Sequence, residues 1–211
     1  MPIHRRNPWF PALPLFLVAA LAVSGYAPYD RATWWMEVAP VFVALPVLIA
    51  TRRRFPLTPL LYGLIALHCL ILMVGGAYTY ARVPLGFWLQ DLLHLGRNPY
   101  DKIGHLAQGF VPALIAREIL LRGTYVTGRR MAAFLSLCVV MFISANYELI
   151  EWGAAVALGQ GADEFLGTQG DPWDTQSDML MALIGGGVAL LTLGGVQDRL
   201  IRRMRAEPFR H

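Results

Sequence analysis

The chain has 211 residues, of which 56% are hydrophobic and 15% charged, with mean hydropathy +0.47. Soluble domains carry about 25% charged residues, so a soluble globular class is excluded and a membrane-embedded one expected. The net charge of +4 and pI near 9.3 would suit a nucleic-acid partner only if the basic residues formed one face without hydrophobic spans. Here they sit in short segments between apolar runs, and no nucleic-acid partner is expected.

The first apolar run, Trp9–Tyr26, follows Arg5 and Arg6 and has the look of a signal peptide. No small-x-small cleavage site followed by a soluble domain appears, and further apolar runs follow at once, so it reads as a retained first span. The second run is Trp34–Ala50, with Pro40 and Pro46 as expected kinks. Glu37, near its outer end, is expected to snorkel to the interface. The third, Leu60–Tyr78, contains His68, expected as a hydrogen-bonded core histidine. Cys69 in this run and Cys138 later both lie in apolar sequence and read as small core hydrophobes, not as a disulfide.

Pro84–Leu95 is too short to span and is interrupted by Gln90, Asp91 and His94. It suits either an amphipathic helix at the interface or an ordinary connecting helix. Three more runs follow, Ile103–Leu121, Met131–Leu158 and Met179–Val196, each close to the roughly 20 residues a bilayer requires. Gly185, Gly186 and Gly187 allow close helix approach in the last of them. The expected architecture is all-α: one polytopic helix bundle over 1–211, with about six transmembrane helices and a short interfacial helix.

Basic residues set the orientation, because cytoplasmic segments are enriched in Lys and Arg. Arg5, Arg6, Arg52 to Arg54, Arg117, Arg122, Arg129, Arg130, Arg199, Arg202, Arg203, Arg205 and Arg210 fall on one side of the alternating spans. Arg31, Arg82, Arg97 and Lys102 fall on the other. This predicts an even number of spans with both termini in the cytoplasm. Acids show the opposite bias: only Glu118, Asp198 and Glu207 share the basic side. Acids contribute little to topology, so their gathering on the outer side calls for another cause.

Three motifs meet that need. Asp101-Lys102-Ile103-Gly104-His105 with Gln108 begins the fourth span, and positions three and four apart share a helix face. Glu148 and Glu151, preceded by Ser144, Asn146 and Tyr147, lie in the outer half of the fifth. Asp171-Pro172-Trp173-Asp174, then Asp178, begins the sixth, with Asp174 expected to cap it. Asp101 with Lys102 has the simpler reading of a surface ion pair. Burying an ionised carboxylate at a helix centre costs about 2.5–3.5 kcal/mol, so these groups must pair, protonate, face water or bind a cation.

The expected site therefore consists of His105, Glu148, Glu151 and Asp178 as catalytic candidates, with Asp174 joining them as candidate ligands of a divalent metal such as Mg, Mn or Zn. The loop Gly159–Asp174 is expected to cover the cluster, with Phe165 or Trp173 turned inward, while Asp163 and Glu164 read as a solvated pair. Three functions remain open. One is a hydrolase or transferase acting on a lipid or envelope precursor. Another is a proton- or cation-coupled transport or binding protein. The third is a structural knot without catalysis. Membrane lipid is the expected partner.

The stretches Arg54–Tyr62, Pro84–Asp91, Arg97-Asn-Pro-Tyr-Asp-Lys-Ile-Gly-His105 and Asp163-Glu-Phe-Leu-Gly-Thr-Gln-Gly-Asp171 are similar to the YjdF family of bacterial inner-membrane proteins. The resemblance covers nearly the whole chain. It implies a multi-pass protein of the bacterial inner membrane and implies no activity. The layout of Asp101, Lys102 and His105, then Glu148 and Glu151, then Asp174, Asp178 and Gly185 also resembles the VanZ-like membrane proteins, a family associated with glycopeptide resistance. Those more often carry Gln where Glu151 stands and Asn near Met181 or Ala182.

Overall fold

The computed structural model describes residues 12–158 and 169–206, and among them the regular structure is entirely helical. The helices are α1 (Ala12–Tyr26), α2 (Arg31–Thr51), α3 (Pro59–Tyr78), α4 (Pro84–Leu93), α5 (Tyr100–Arg122), α6 (Arg129–Leu158) and α7 (Asp174–Ala206). A single 3-10 turn, Tyr80–Arg82, joins α3 to α4.

Local chemistry sets the boundaries. Asp30 caps α2 by accepting the Thr33 amide at 2.7 Å, and this bond holds its carboxyl below the ordinary value of 3.8. Proline occupies the first turn of both α3 and α4, where a missing amide hydrogen costs nothing. α3 ends on Thr79 in the left-handed region (φ 57°), and α4 ends on His94 in the same region (φ 52°).

Four helices, α2, α3, α6 and α7, are long and apolar enough to cross a membrane. α1 is a shorter apolar helix over its 15 described residues; Trp9, the expected start of the first run, lies outside the described residues. α5 has the length, 23 residues, but carries Asp101, Lys102, Arg117, Glu118 and Arg122 near its ends. It tolerates them because α3, α6 and α7 pack around it. Among the described residues there are thus four clear span candidates and one shorter apolar helix, so the expected count of six is approximate. α4 leaves Leu85, Phe87, Trp88, Leu92 and Leu93 exposed, as an interfacial helix does.

The bundle is apolar outside as well as inside, as a lipid-facing protein requires: Phe16, Val43, Phe134, Phe142 and Leu191 are all exposed. α5 and α7 form the most extensive pairing. Its basis is small residues: a Cβ on Gly109 would run into the Ala182 carbonyl, and one on Gly185 into the Leu106 carbonyl. Gly186 faces Leu137 and Val140, whereas Gly187 faces open space, so only the first two of the three consecutive glycines serve packing.

The two ends of α5 are polar in different ways. At its C-terminal end, Glu118 is fully buried. It accepts from Thr58 N (2.9 Å), Thr58 Oγ1 (2.8 Å), Arg122 (2.7 Å) and Gln197 (3.4 Å). Arg117 donates to Gln197 and Asp198, and Arg129 reaches Asp198 from α6. This basic end is a well-bonded tie between α3, α5, α6 and α7. Between it and the acidic end, the buried residues are mostly apolar or small, Val111, Ala113, Leu114, Val140, Ala182, Gly185 and Ala189 among them, with Ser136 bonded back to the Ala132 carbonyl of its own helix.

Candidate functional site

The acidic end brings together the start of α5, the last third of α6 and the start of α7. His105 is buried at its centre. Its Nε2 lies 3.5 Å from Asp101 Oδ1 and 3.7 Å from Asp178 Oδ1, and its Nδ1 lies 3.1 Å from Gln108 Oε1 and 3.9 Å from Glu148 Oε1. The helical spacing explains half of this, since Asp101, His105 and Gln108 share one face of α5. The α5–α7 glycine contact brings Asp178 within reach, and the packing of α6 on α5 brings Glu148.

Asp178 and Asp174 share Lys102, whose Nζ lies 2.6 Å from each. Arg97 adds bonds to Asp174 (2.7 Å) and Asp171 (2.9 Å). Burial of Arg97 opposes its charge, but the Asp174 bond outweighs it and raises its pKa. Asp174 is thus the first residue of α7, with its carboxylate committed to two cations, not to a cap. The helix start is held by Asp171, which accepts the Trp173 amide at 2.9 Å. Asp101 and Lys102 form no simple surface pair: both are mostly buried and both enter the cluster.

Glu148 is 7% exposed. Thr175 lies against its carboxyl, yet its Oε1 has no hydrogen-bond partner among the described residues, and neither does the fully buried Ser144 Oγ one turn before it. Glu151, one turn further on, lies within electrostatic range of Glu148, Glu37 and His105.

Three residues beyond the expected set enlarge the site. Glu37 does not snorkel; it is buried on α2, 3.4 Å from the Tyr147 hydroxyl. Tyr80 stands beside it. Burial, and then the Glu37 charge, push the Tyr80 hydroxyl well above its ordinary range, so it stays a proton donor. Its ring sits in a slot where a Cβ on Gly75 or Gly104 would collide with it, and its φ of 29° is strained for a non-glycine residue. Asp101 is the third, and its four-residue spacing from His105 was the signal available for it. Seven carboxyls, Glu37, Asp101, Glu148, Glu151, Asp171, Asp174 and Asp178, thus face two permanent cations, Arg97 and Lys102.

Two other residues stand differently from the simplest expectation. His68 makes no core hydrogen bond: its Nε2 is buried without a partner among the described residues. Trp173 is 68% exposed, so this one of the two aromatics expected to turn inward is not covered. Residues 159–168 of the expected covering loop, Phe165, Asp163 and Glu164 included, lie outside the described residues. The segment after them is docked: Gln169 and Asn98 exchange two hydrogen bonds, at 3.0 and 3.2 Å.

The chain is 60% identical over 189 residues, 90% of each chain, to "Inner membrane protein YjdF" of Escherichia coli (strain K12). No solved structure matches it. The family model "Predicted membrane protein (DUF2238)" matches residues 11–199. A multi-pass helical bundle, an inner-membrane relative of this identity and a family match over nearly the whole length agree: the chain belongs to the DUF2238 family of inner-membrane proteins.

Proposed function

We propose that the acidic end faces the periplasm. There it forms an acid–base site acting on the polar part of a membrane lipid or a lipid-linked envelope precursor. The orientation follows from the clustering of Arg and Lys at the other end. The observation that carries the chemistry is the Glu148 Oε1 atom: a buried carboxylate oxygen without a hydrogen-bond partner among the described residues, 3.9 Å from a histidine. A group held this way is available to take or give a proton. Glu151, one turn away and less buried, supplies the contrasting environment from which paired carboxyls draw separate acid and base roles. His105 links Glu148 to Asp178. The neighbouring face of α6 exposes Leu149, Ile150 and Trp152, so a lipid headgroup approaches the site laterally while its chains remain in the bilayer.

The rival reading is a proton or cation path. It is disfavoured by the middle of the α5–α7 contact, where backbone meets backbone at Gly109 and Gly185 among apolar residues, without room for a polar relay. A purely structural knot gives no reason to bury a carboxylate oxygen that has no hydrogen-bond partner among the described residues.

The test uses purified protein in vesicles made from total envelope lipid, with lipid species followed by mass spectrometry. Wild type should convert the headgroup of one species, and Glu148→Gln should slow this at least ~100-fold, the usual lower bound for losing a general acid or base. Conversion at the wild-type rate by Glu148→Gln, or no conversion by wild type, would refute the proposal.

A further inference from the structure

We infer that Asp101, His105 and Asp178 hold a divalent cation of the Zn2+ or Mn2+ class. This rests on the acid–base function proposed above and adds a Lewis acid to it. One ligand atom from each of the three residues lies within 4.8 Å of the others. The imidazole is oriented for the task. Its Nδ1 faces two oxygens, Gln108 Oε1 at 3.1 Å and Glu148 Oε1 at 3.9 Å, which favours the tautomer with the hydrogen on Nδ1. The Nε2 lone pair then points at Asp101 and Asp178, and three electron-rich atoms converge on one space.

Their charge favours a positive species among them. The separations of 3.5 and 3.7 Å from Nε2 exceed those of a charge-assisted hydrogen bond, about 2.7–2.9 Å. They are close to the spacing of two ligands on one ion: at metal–ligand distances of about 2.1 Å, neighbouring ligands stand roughly 3.0–3.4 Å apart. Lys102 does not fill the space. Its ammonium sits at the edge, 2.6 Å from Asp174 Oδ1 and from Asp178 Oδ1, the oxygen that also faces Nε2, and 3.7 Å from the other Asp101 oxygen, so a metal would share the Asp178 carboxylate with it.

The second observation is Glu148. Metal-bound histidines present their other nitrogen to a carboxylate or amide oxygen, which orients the ring and raises its basicity. Glu148 Oε1, buried and otherwise unpartnered, stands where such a group belongs, together with Gln108. One imidazole with two carboxylates suits Zn2+ or Mn2+ better than Ca2+, which prefers six to eight oxygens. Three protein ligands leave a position for water or a substrate oxygen.

The test is Mn2+ titration of the full chain in nanodiscs after chelation, read by electron paramagnetic resonance. One ion per chain is expected, with spin-echo modulation from one imidazole nitrogen that vanishes in His105→Ala. Asp178→Asn should weaken binding at least ~10-fold. Glu148→Gln should weaken it about 10–100-fold at unchanged stoichiometry. Asp198→Asn, at the opposite end, should bind as wild type does. If Asp178→Asn does not fold, the imidazole modulation of the wild type decides the matter. Absence of saturable binding, or binding without imidazole coupling, would overturn the inference and assign a proton to this space. Lipid conversion that survives chelation would remove the metal and keep the acid–base function. A bound ion without lipid conversion would do the reverse.

Discussion

Glu118 offers the sharpest energetic forecast. Its carboxylate is fully buried and accepts four hydrogen bonds, from Thr58 N, Thr58 Oγ1, Arg122 and Gln197. Glu118→Ala removes every acceptor at once. It strands the buried amide of Thr58 at the start of α3 and takes away the carboxylate partner of Arg122. Removing one partner of a buried ion pair costs about 3–5 kcal/mol. For a chain of this length each kcal/mol lowers Tm by about 2–4 °C, so the fall should be on the order of 10 °C. Glu118→Gln keeps the shape and one acceptor but turns an amide donor toward other donors, and should cost about 1–3 kcal/mol. Thermal unfolding in mild detergent, followed by the fraction remaining monodisperse, measures both. A double-mutant cycle with Arg122→Ala should give coupling above about 1 kcal/mol. A drop below 2 °C for Glu118→Ala, on the order expected of a surface site, would refute the idea that this network ties α3, α5 and α7 together.

Two further outcomes follow from the packing and the caps. Gly109→Ala should separate α5 from α7 because its Cβ meets the Ala182 backbone, costing at least the ~1–3 kcal/mol of an overpacked core, while Gly187→Ala, facing open space, should leave folded yield unchanged. Asp30→Ala should cost about 1 kcal/mol at neutral pH by removing the α2 cap. The Asp30 carboxyl is held below 3.8 by the Thr33 amide, so its contribution is fully present above that value and disappears as pH falls through the lower folded value. The Tm gap between wild type and variant should therefore close in acid and persist at pH 7.

Much of the architecture was legible in the chain, because apolar runs and helical spacing are local properties. Asp101, His105 and Gln108 fall on one face by periodicity, and the structure places Asp101 3.5 Å and Gln108 3.1 Å from the His105 ring. Matching depth along α5, α6 and α7 was enough to put Glu148 and Asp178 beside His105. What escaped depended on tertiary reach. Arg97 and Lys102 resemble interfacial surface cations until their long side chains are seen to turn back onto Asp174. Glu37 sits near the end of an apolar run, and only the packing of α2 near α6 turns it from a snorkelling acid into a neighbour of Tyr147. Glu118 was grouped with the cytoplasmic residues by charge alternation, which says nothing of burial. Tyr80 had no signal of its own: its placement comes from two glycines on different helices and a strained backbone.

The central claim is that Glu148 is held for chemistry and not for stability, and the thermal stability of Glu148→Gln tests this without knowledge of the substrate. The substitution keeps the side chain's shape and an acceptor for Thr175 while neutralising a buried oxygen that has no partner among the described residues. An unsatisfied buried polar group costs about 1–3 kcal/mol, so the variant should match wild type or exceed it by up to that amount, in contrast to the loss expected at Glu118. A fall in Tm comparable to that of Glu118→Gln would mean that Glu148 belongs to a structural knot, and would contradict the account.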